Sequence, residues 1–399
     1  NKDLAAAGSK TTIVIDGVRD DDWATHKQKF LMASDAHQAP DIYLTGHEDI
    51  GSLAEAGYIL PLDDYIAQYK ETYDDFFESL WKPMTYKGKI WAIPQDTESR
   101  PMFFSKKFLR ELGWSEEQID GLPNQVIKGE FTLDDMLATA KEAQDKGIIK
   151  EGYGFWTRPK QGPDWYSFWI NFGGELEDPA TGKLVFVKDA GLRVLNFWYK
   201  TMYELDTTTP DNIGTDWKIW HETVAAGQNV LFWNGGTWHW MDEAVNYVAE
   251  QGGEKFMWEN EGFMLIPPYK KGGKPSNLSH PLIYTISADS KYPDIAFRLI
   301  TIASSPELNT LHAVSSSHLG IRKSQVEYPP YANNKFLHDA AYMVDYASYL
   351  PNNPNWAAYD NIVWRGTSAV LAGEMKPAEA VDMMVEELQS ELGDEVIIK

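Results

Sequence analysis

Two rhythms of apolar and polar positions alternate along the chain. In the first hundred residues, short β-branched or aliphatic runs precede stretches of helical period. TTIVIDGV (11–18) reads as a strand, and WATHKQKFLMASDA as the amphipathic helix behind it. DIYLTG (41–46) is a second strand ending at a glycine, and IGSLAEAG begins a helix that runs up to Gly57, with Pro61 beyond. KGKIWAIPQD (87–96) adds a strand stopped at Pro94, and SKKFLRELG (105–113) a helix with a glycine stop. This order predicts an α/β lobe with a mainly parallel sheet.

Past Leu122 the helices lengthen. FTLDDMLATAKEAQDKG has Thr132 as N-cap, Asp135 three residues on and Gly147 at its end. GYGFW, NVLFWNG, GFMLIPP and LIYTISA read as strands, GGELEDPATGKLVF as a hairpin around Pro179 to Gly182, and KKGGKPSN as a linker. PAEAVDMMVEELQSELG opens on Pro377 and places Val381, Met384, Val385, Leu388 and Leu392 on one helical face.

Composition narrows the function. A chain of 399 residues predicts two domains or one two-lobed unit, and 43% hydrophobic with 24% charged residues is a globular balance. The formal net charge of -23 repels phosphate backbones and anionic lipid, which sets nucleic acid aside. No apolar run reaches the roughly 20 residues of a membrane span, and nothing at Asn1 resembles a signal peptide. With no cysteine there is neither disulfide nor thiolate chemistry. His47-Glu48 and His221-Glu222 have Gly51 and Ala225 where a second histidine ligand would stand, so neither a metal site nor a cofactor is expected.

Polar groups gather where strands end. Asp96, Glu98 and Arg100 follow one strand, and His47, Glu48 and Asp49 another, at the edge where open α/β sheets hold ligands. A solvated loop with Arg100 paired to a nearby acid explains the first cluster equally well, and carboxylates serving the next helix dipole the second. The chain carries 16 Trp, 20 Tyr and 17 Phe. Most of these belong in the core. Trp156, Trp165, Trp238 and Trp356 stand beside Gly or Pro turns and are the candidates for exposure. Indole faces match the C–H faces of pyranose rings, and carboxylates with Arg match their hydroxyls.

PDIYLTGHEDIGSLAEAGYILPLDDYI, YKGKIWAIPQDTESRPMFFSKKFLRELGW, FTLDDMLATAKEAQDKG, NVLFWNGGTW, SPELNTLHAVSSSHLGIRKS and LAGEMKPAEAVDMMVEELQSELG follow one another in an order that resembles the extracellular solute-binding proteins of carbohydrate ABC importers, the maltose-binding-protein-like group. The resemblance implies a two-lobed periplasmic-binding-protein type II fold with the ligand in the interlobe cleft. It puts residues 1–108 and 275–320 in an N-terminal lobe and 112–268 and 326–399 in a C-terminal lobe, with hinge crossings near 106–112, 268–276 and 320–326. Carried over by position, it implies sugar contacts from His47, Glu48, Asp96, Glu98 and Arg100. It also implies contacts from the Asn234-Gly235 turn, stacking on Trp238 and Trp356, and contributions from Asp164 and Trp165, while Trp156 is a ligand candidate from its place beside a turn. Trp233 and Trp240 have no such match and by strand alternation pack inside.

The implied protein is a monomeric receptor, not an enzyme. It works in the periplasm or on the extracellular face of a bacterial membrane, with a lipoprotein anchor allowed, and delivers a di- or oligosaccharide to the importer's permease subunits. Two rivals remain at this stage. A glycoside hydrolase would use Asp96 and Glu98, or Glu48 and Glu98, as its carboxyl pair about 5 to 9.5 Å apart. A receptor of the same fold would take an acidic sugar or a non-sugar such as a polyamine.

Overall fold

Each of the two main sheets is built around a strand that runs against its neighbours. The computed structural model describes all residues except 3–5, 7, 9, 11 and 19–22. The elements that position the site begin with helix α1 (Trp23–Asp35), strand β1 (Ile42–Gly46), helix α2 (Ile50–Glu55), strands β2 (Ile93–Pro94) and β3 (Met102–Ser105), and helices α3 (Lys106–Glu111) and α4 (Leu133–Asp145). They continue with β4 (Phe155–Trp156), α5 (Asp164–Asn171), α6 (Trp217–Val224), β5 (Phe232–Asn234), α7 (His239–Asn246) and β6 (Glu261–Met264). Last come β7 (Leu282–Ile286), α8 (Pro293–Ala303), α9 (Pro306–Ser316), α10 (Trp356–Leu371) and α11 (Pro377–Leu392). Among the described residues no helix is long and apolar enough to cross a membrane.

The first sheet has the order β1-β7-β2, with β7 antiparallel to both neighbours. The second has the order β4-β5-β3-β6, with β3 antiparallel to β5 and β6, and β4 parallel to β5. The mainly parallel sheets expected from sequence are therefore corrected: the first sheet is antiparallel and the second is mixed. The reason is topological. β3 and β7 are the strands that arrive from the other lobe, so each enters its sheet from the opposite end. Because each inserts between two resident strands, most ladders become antiparallel.

Two separate sets of cores match the two sheets. Leu62, Tyr73, Phe76, Ile286, Phe297 and Ile300 pack in the first lobe, while Phe103, Phe155, Trp198, Trp220, Trp233 and Tyr359 belong to the much larger core of the second. Each such side chain, fully buried, contributes about 1.5–3 kcal/mol.

Local signals held where they were self-contained. Ser105 caps α3, and Thr132 and Asp135 form a reciprocal capping box at α4. Val381, Met384, Val385, Leu388 and Leu392 are the buried face of α11. The run 87–96 is two short strands: Lys89–Ile90 closes a hairpin on Thr85–Tyr86, and β2 joins the first sheet. TTIVIDGV forms no strand over 12–18, with Val14, Ile15 and Val18 exposed; Thr11 lies outside the described residues. The Ile13 backbone bonds the Asn1 side-chain amide instead of a neighbouring strand, and β propensity without a packed neighbour does not make a strand. Residues 106–111 are helical, with Phe108 and Leu109 buried in the second lobe's core. Extended bridges join Thr97 to Leu319 and Ser99 to Ser279.

Candidate functional site

A cavity of about 710 Å³ is lined from both lobes. Lys27 of α1 and Glu48, just past β1, face it from the first lobe, and Arg158, Tyr166, Trp238 and Trp356 from the second. Glu98, Arg100 and His280 lie on the segments that lead into β3 and β7. The register explains their convergence. Gly46 at the end of β1 pairs with Leu282 at the start of β7, and Asn234 at the end of β5 pairs with Met102 at the start of β3. The approach to each reversed strand thus shares an edge with the exits of its neighbours.

Charges alternate across this floor. Glu48 takes a 3.1 Å contact from Lys27 and accepts from His280 Nε2 at 2.8 Å. His280 Nδ1 is 3.9 Å from Glu98, whose Oε1 accepts from Arg100 Nη2 at 2.7 Å and from the Trp238 indole N–H at 2.8 Å. Arg100 reaches Asp164 at 3.4 Å, and Asp164 also takes Arg158 at 3.2 Å. Arg158 lies over the Trp217 ring, 4.9 Å from its centroid. Burial alone would raise the Glu48 carboxyl, but His280 and Lys27 take it well below the usual range. Burial likewise opposes ionisation of Asp164, and Arg100 and Arg158 overrule it. Burial would lower the Lys27 ammonium, and Glu48 and Asp49 raise it instead. Removing one partner from such a buried pair costs about 3–5 kcal/mol, which fixes the arrangement.

The walls are aromatic. Trp238 sits at the start of α7, and Gly236 makes room for it: a Cβ there would come within 2.6 Å of Glu98 Oε1 and strike the indole. Tyr166 and Trp356 pack with ring centroids 4.9 Å apart. The Tyr166 hydroxyl donates to Asp360 at 2.6 Å, and the Gln161 amide donates to the other Asp360 oxygen at 2.7 Å.

Five residues singled out from sequence line the cavity: Glu48, Glu98, Arg100, Trp238 and Trp356. The rest stand behind it. His47 is fully buried, 3.3 Å from the Leu350 carbonyl, and burial pushes its imidazole down to about 4 against the pull of Glu48. Asp96 accepts from the Leu282 N–H at 3.2 Å and lies 3.4 Å from His312. Asp164 holds the two arginines. Asn234 donates to the Pro101 carbonyl at 2.8 Å, and the Gly235 N–H to the same oxygen at 3.3 Å. Trp156, Trp165 and Trp356 correct the expectation of exposure: all three are buried, Trp356 while lining the cavity, and the indole N–H groups of Trp156 and Trp165 bond the Gly152 and Lys160 carbonyls. The turns beside them fold back to supply those carbonyls. Trp233 and Trp240 are core residues, as expected, stacked near Phe103 and Phe336.

Sequence reasoning missed Lys27, Arg158, Gln161, Tyr166, His280 and Asp360. Arg158 carried a usable signal, because it follows the GYGFW strand by two residues. His280 precedes its strand and becomes a site residue only because β7 is reversed. Lys27, on the polar face of a surface helix, carried none.

The model of the bacterial extracellular solute-binding protein family matches residues 2–310. The maltotriose-binding protein of Pyrococcus abyssi is 22% identical over 356 residues, covering 88% of this chain and 69% of its own length. The diacetylchitobiose binding protein DasA of Streptomyces coelicolor is 23% identical over 387 residues, covering 94% of this chain and 82% of its own. Among solved structures, a solute binding protein of Agrobacterium radiobacter K84 in complex with ribitol superposes with a TM-score of 0.77 at 21% identity, over 98% of this chain and 94% of that one. Maltose-bound MalE3 of T. maritima gives 0.76 at 17% identity, over 93% and 89%. These likenesses establish the two-lobed α/β fold.

Proposed function

Because the chain belongs to the bacterial extracellular solute-binding protein family, we propose that it captures a neutral di- or oligosaccharide between its lobes and hands it to the permease subunits of an ABC importer. The observation that carries this reading is the cavity of about 710 Å³, walled by Trp238, Trp356 and Tyr166 and floored by paired charges. Pyranose faces stack on the indoles, and hydroxyls bond the edges of Glu48, Glu98 and Arg100. The maltotriose and diacetylchitobiose relatives support an oligosaccharide.

Micromolar affinity needs about 8 kcal/mol. Stacking at about 0.5–1.5 kcal/mol per ring and charged hydrogen bonds at about 1.5–3 kcal/mol each supply it with two or three of both, before the cost of immobilising the ligand. Ligand contacts from both lobes are complete only when the lobes close, so binding favours the closed form. We place the crossings near 97–101, 277–281 and 320–326, where the bridges Thr97 to Leu319 and Ser99 to Ser279 pair these segments with one another. The protein acts as a monomer in the periplasm or at the extracellular face, without nucleic acid, and does no chemistry on its ligand.

Charge pairing favours a neutral ligand over an acidic one. Lys27, Arg100 and Arg158 line the cavity, and each is already paired with a carboxylate. A thermal-shift screen against neutral, acidic and amino sugars tests the reading, with a reducing-sugar assay alongside. A raised melting temperature with a neutral oligosaccharide and no released sugar is expected. Release of reducing sugar, or a shift with charged ligands alone, contradicts it.

A further inference from the structure

Directly behind Trp238, three ligand-type side chains meet in the interior of the second lobe. His221 on α6, and His239 and Glu243 on α7, each offer an atom within 4.8 Å of the others'. His239 and Glu243 are four residues apart and share a helical face. All three are at least nine-tenths buried: His221 is 7% exposed, His239 2% and Glu243 0%.

Polar atoms of the two imidazoles are unspent. Neither ring nitrogen of His239 has a hydrogen-bond partner, nor does Nδ1 of His221. One Glu243 oxygen accepts from the Ala226 N–H at 2.9 Å, which holds the carboxyl in place. The two imidazoles meet edge to face, 4.9 Å between centroids. On β6, the fully buried Glu261 carboxyl lies within hydrogen-bond reach of the Glu243 carboxyl, so a proton shared between the two acids stands in for a donor there. A buried polar group without a partner costs about 1–3 kcal/mol. Here one ligand atom from each of His221, His239 and Glu243 faces one small volume, and a cation would satisfy the three together.

We infer that His221, His239 and Glu243 form a binding site for a divalent first-row transition ion of the zinc type. Two imidazoles and one carboxylate are a common zinc donor set, with ligand bonds near 2.0–2.2 Å. In a tetrahedral site such atoms stand about 3.3 Å apart, so small side-chain rotations bring these three onto one ion. The acid-rich remainder and the lack of thiolate exclude softer Cys-based chemistry. The ion ties α6 to the first two turns of α7, immediately after Trp238. A search for a single-helix H-E-x-x-H motif passes over this site because its ligands come from two helices.

The test is independent of any sugar. The full chain is stripped with chelator, dialysed and titrated with Zn²⁺ alone, with bound zinc read by elemental analysis and stability by thermal melting. One zinc per chain and a rise in melting temperature of about 5 °C at saturating metal are expected. Glu243→Gln and His221→Gln, each checked for fold by circular dichroism and by its metal-free melt, lose both the zinc and the rise. His312→Ala, which alters the cluster of Asp96, His312 and His318, keeps both. If the wild type binds no zinc, or if the Glu243 and His221 variants retain it while His312→Ala loses it, the site is refuted.

Discussion

Glu98 concentrates the site's logic in one side chain. It accepts from Arg100 and from the Trp238 indole, so the same carboxylate that faces the cavity also fixes the stacking wall. Trp238 and Trp233 stand five residues apart and do different work. Trp233 is fully buried against Phe103, and Trp233→Ala is expected to cost about 3–5 kcal/mol of stability, read by urea unfolding. Trp238 is half-buried at the cavity edge, and Trp238→Ala is expected to leave the unfolding midpoint close to the wild type. Equal destabilisation by both would overturn this division. His47 makes a second residue-scale prediction. Its imidazole falls from an ordinary 6.5 to about 4 on folding because it is buried. Between those values the unfolded chain binds the proton and the folded chain does not. Stability from this group is therefore full above pH 6.5 and is lost as pH falls toward 4, by about 3 kcal/mol in all. Raised carboxyls such as Asp360 pull the other way, so the measurement is the difference in unfolding free energy between wild type and His47→Gln across that window. A difference that does not vary with pH would contradict it.

At the scale of elements, the register of the reversed strands decides what reaches the cavity. Helices were legible in sequence because a helix reports its own buried face: the five apolar positions of α11 and the cap at Thr132 need no distant partner to be read. Strand direction was not, since β3 and β7 take theirs from crossings between lobes. That one fact accounts for two errors at once, the parallel sheets and the missed His280. It also separates lining from support among the predicted residues. Glu98 and Arg100 approach β3 and face the cavity, whereas Asp96 bonds the start of β7 and turns away. The turn between β5 and α7 offers a direct check. Gly236→Ala drives a methyl into Glu98 and the Trp238 indole. It should weaken sugar binding more than tenfold while shifting the melting temperature by only a few degrees, and unchanged affinity would show that Trp238 is not held as described.

For the whole molecule, two lobes with separate cores meet around the cavity. Paired charges on the cavity floor and aromatic walls above them suit a ligand that is polar at its rim and apolar on its faces. The most direct test of this account is calorimetric titration of neutral di- and oligosaccharides into the wild type and Trp238→Ala. The account predicts one-to-one binding at micromolar or tighter affinity for at least one of them, little dependence on salt, and a loss of tenfold or more in the variant. Absence of binding across the series, or equal affinity in the two proteins, would contradict it.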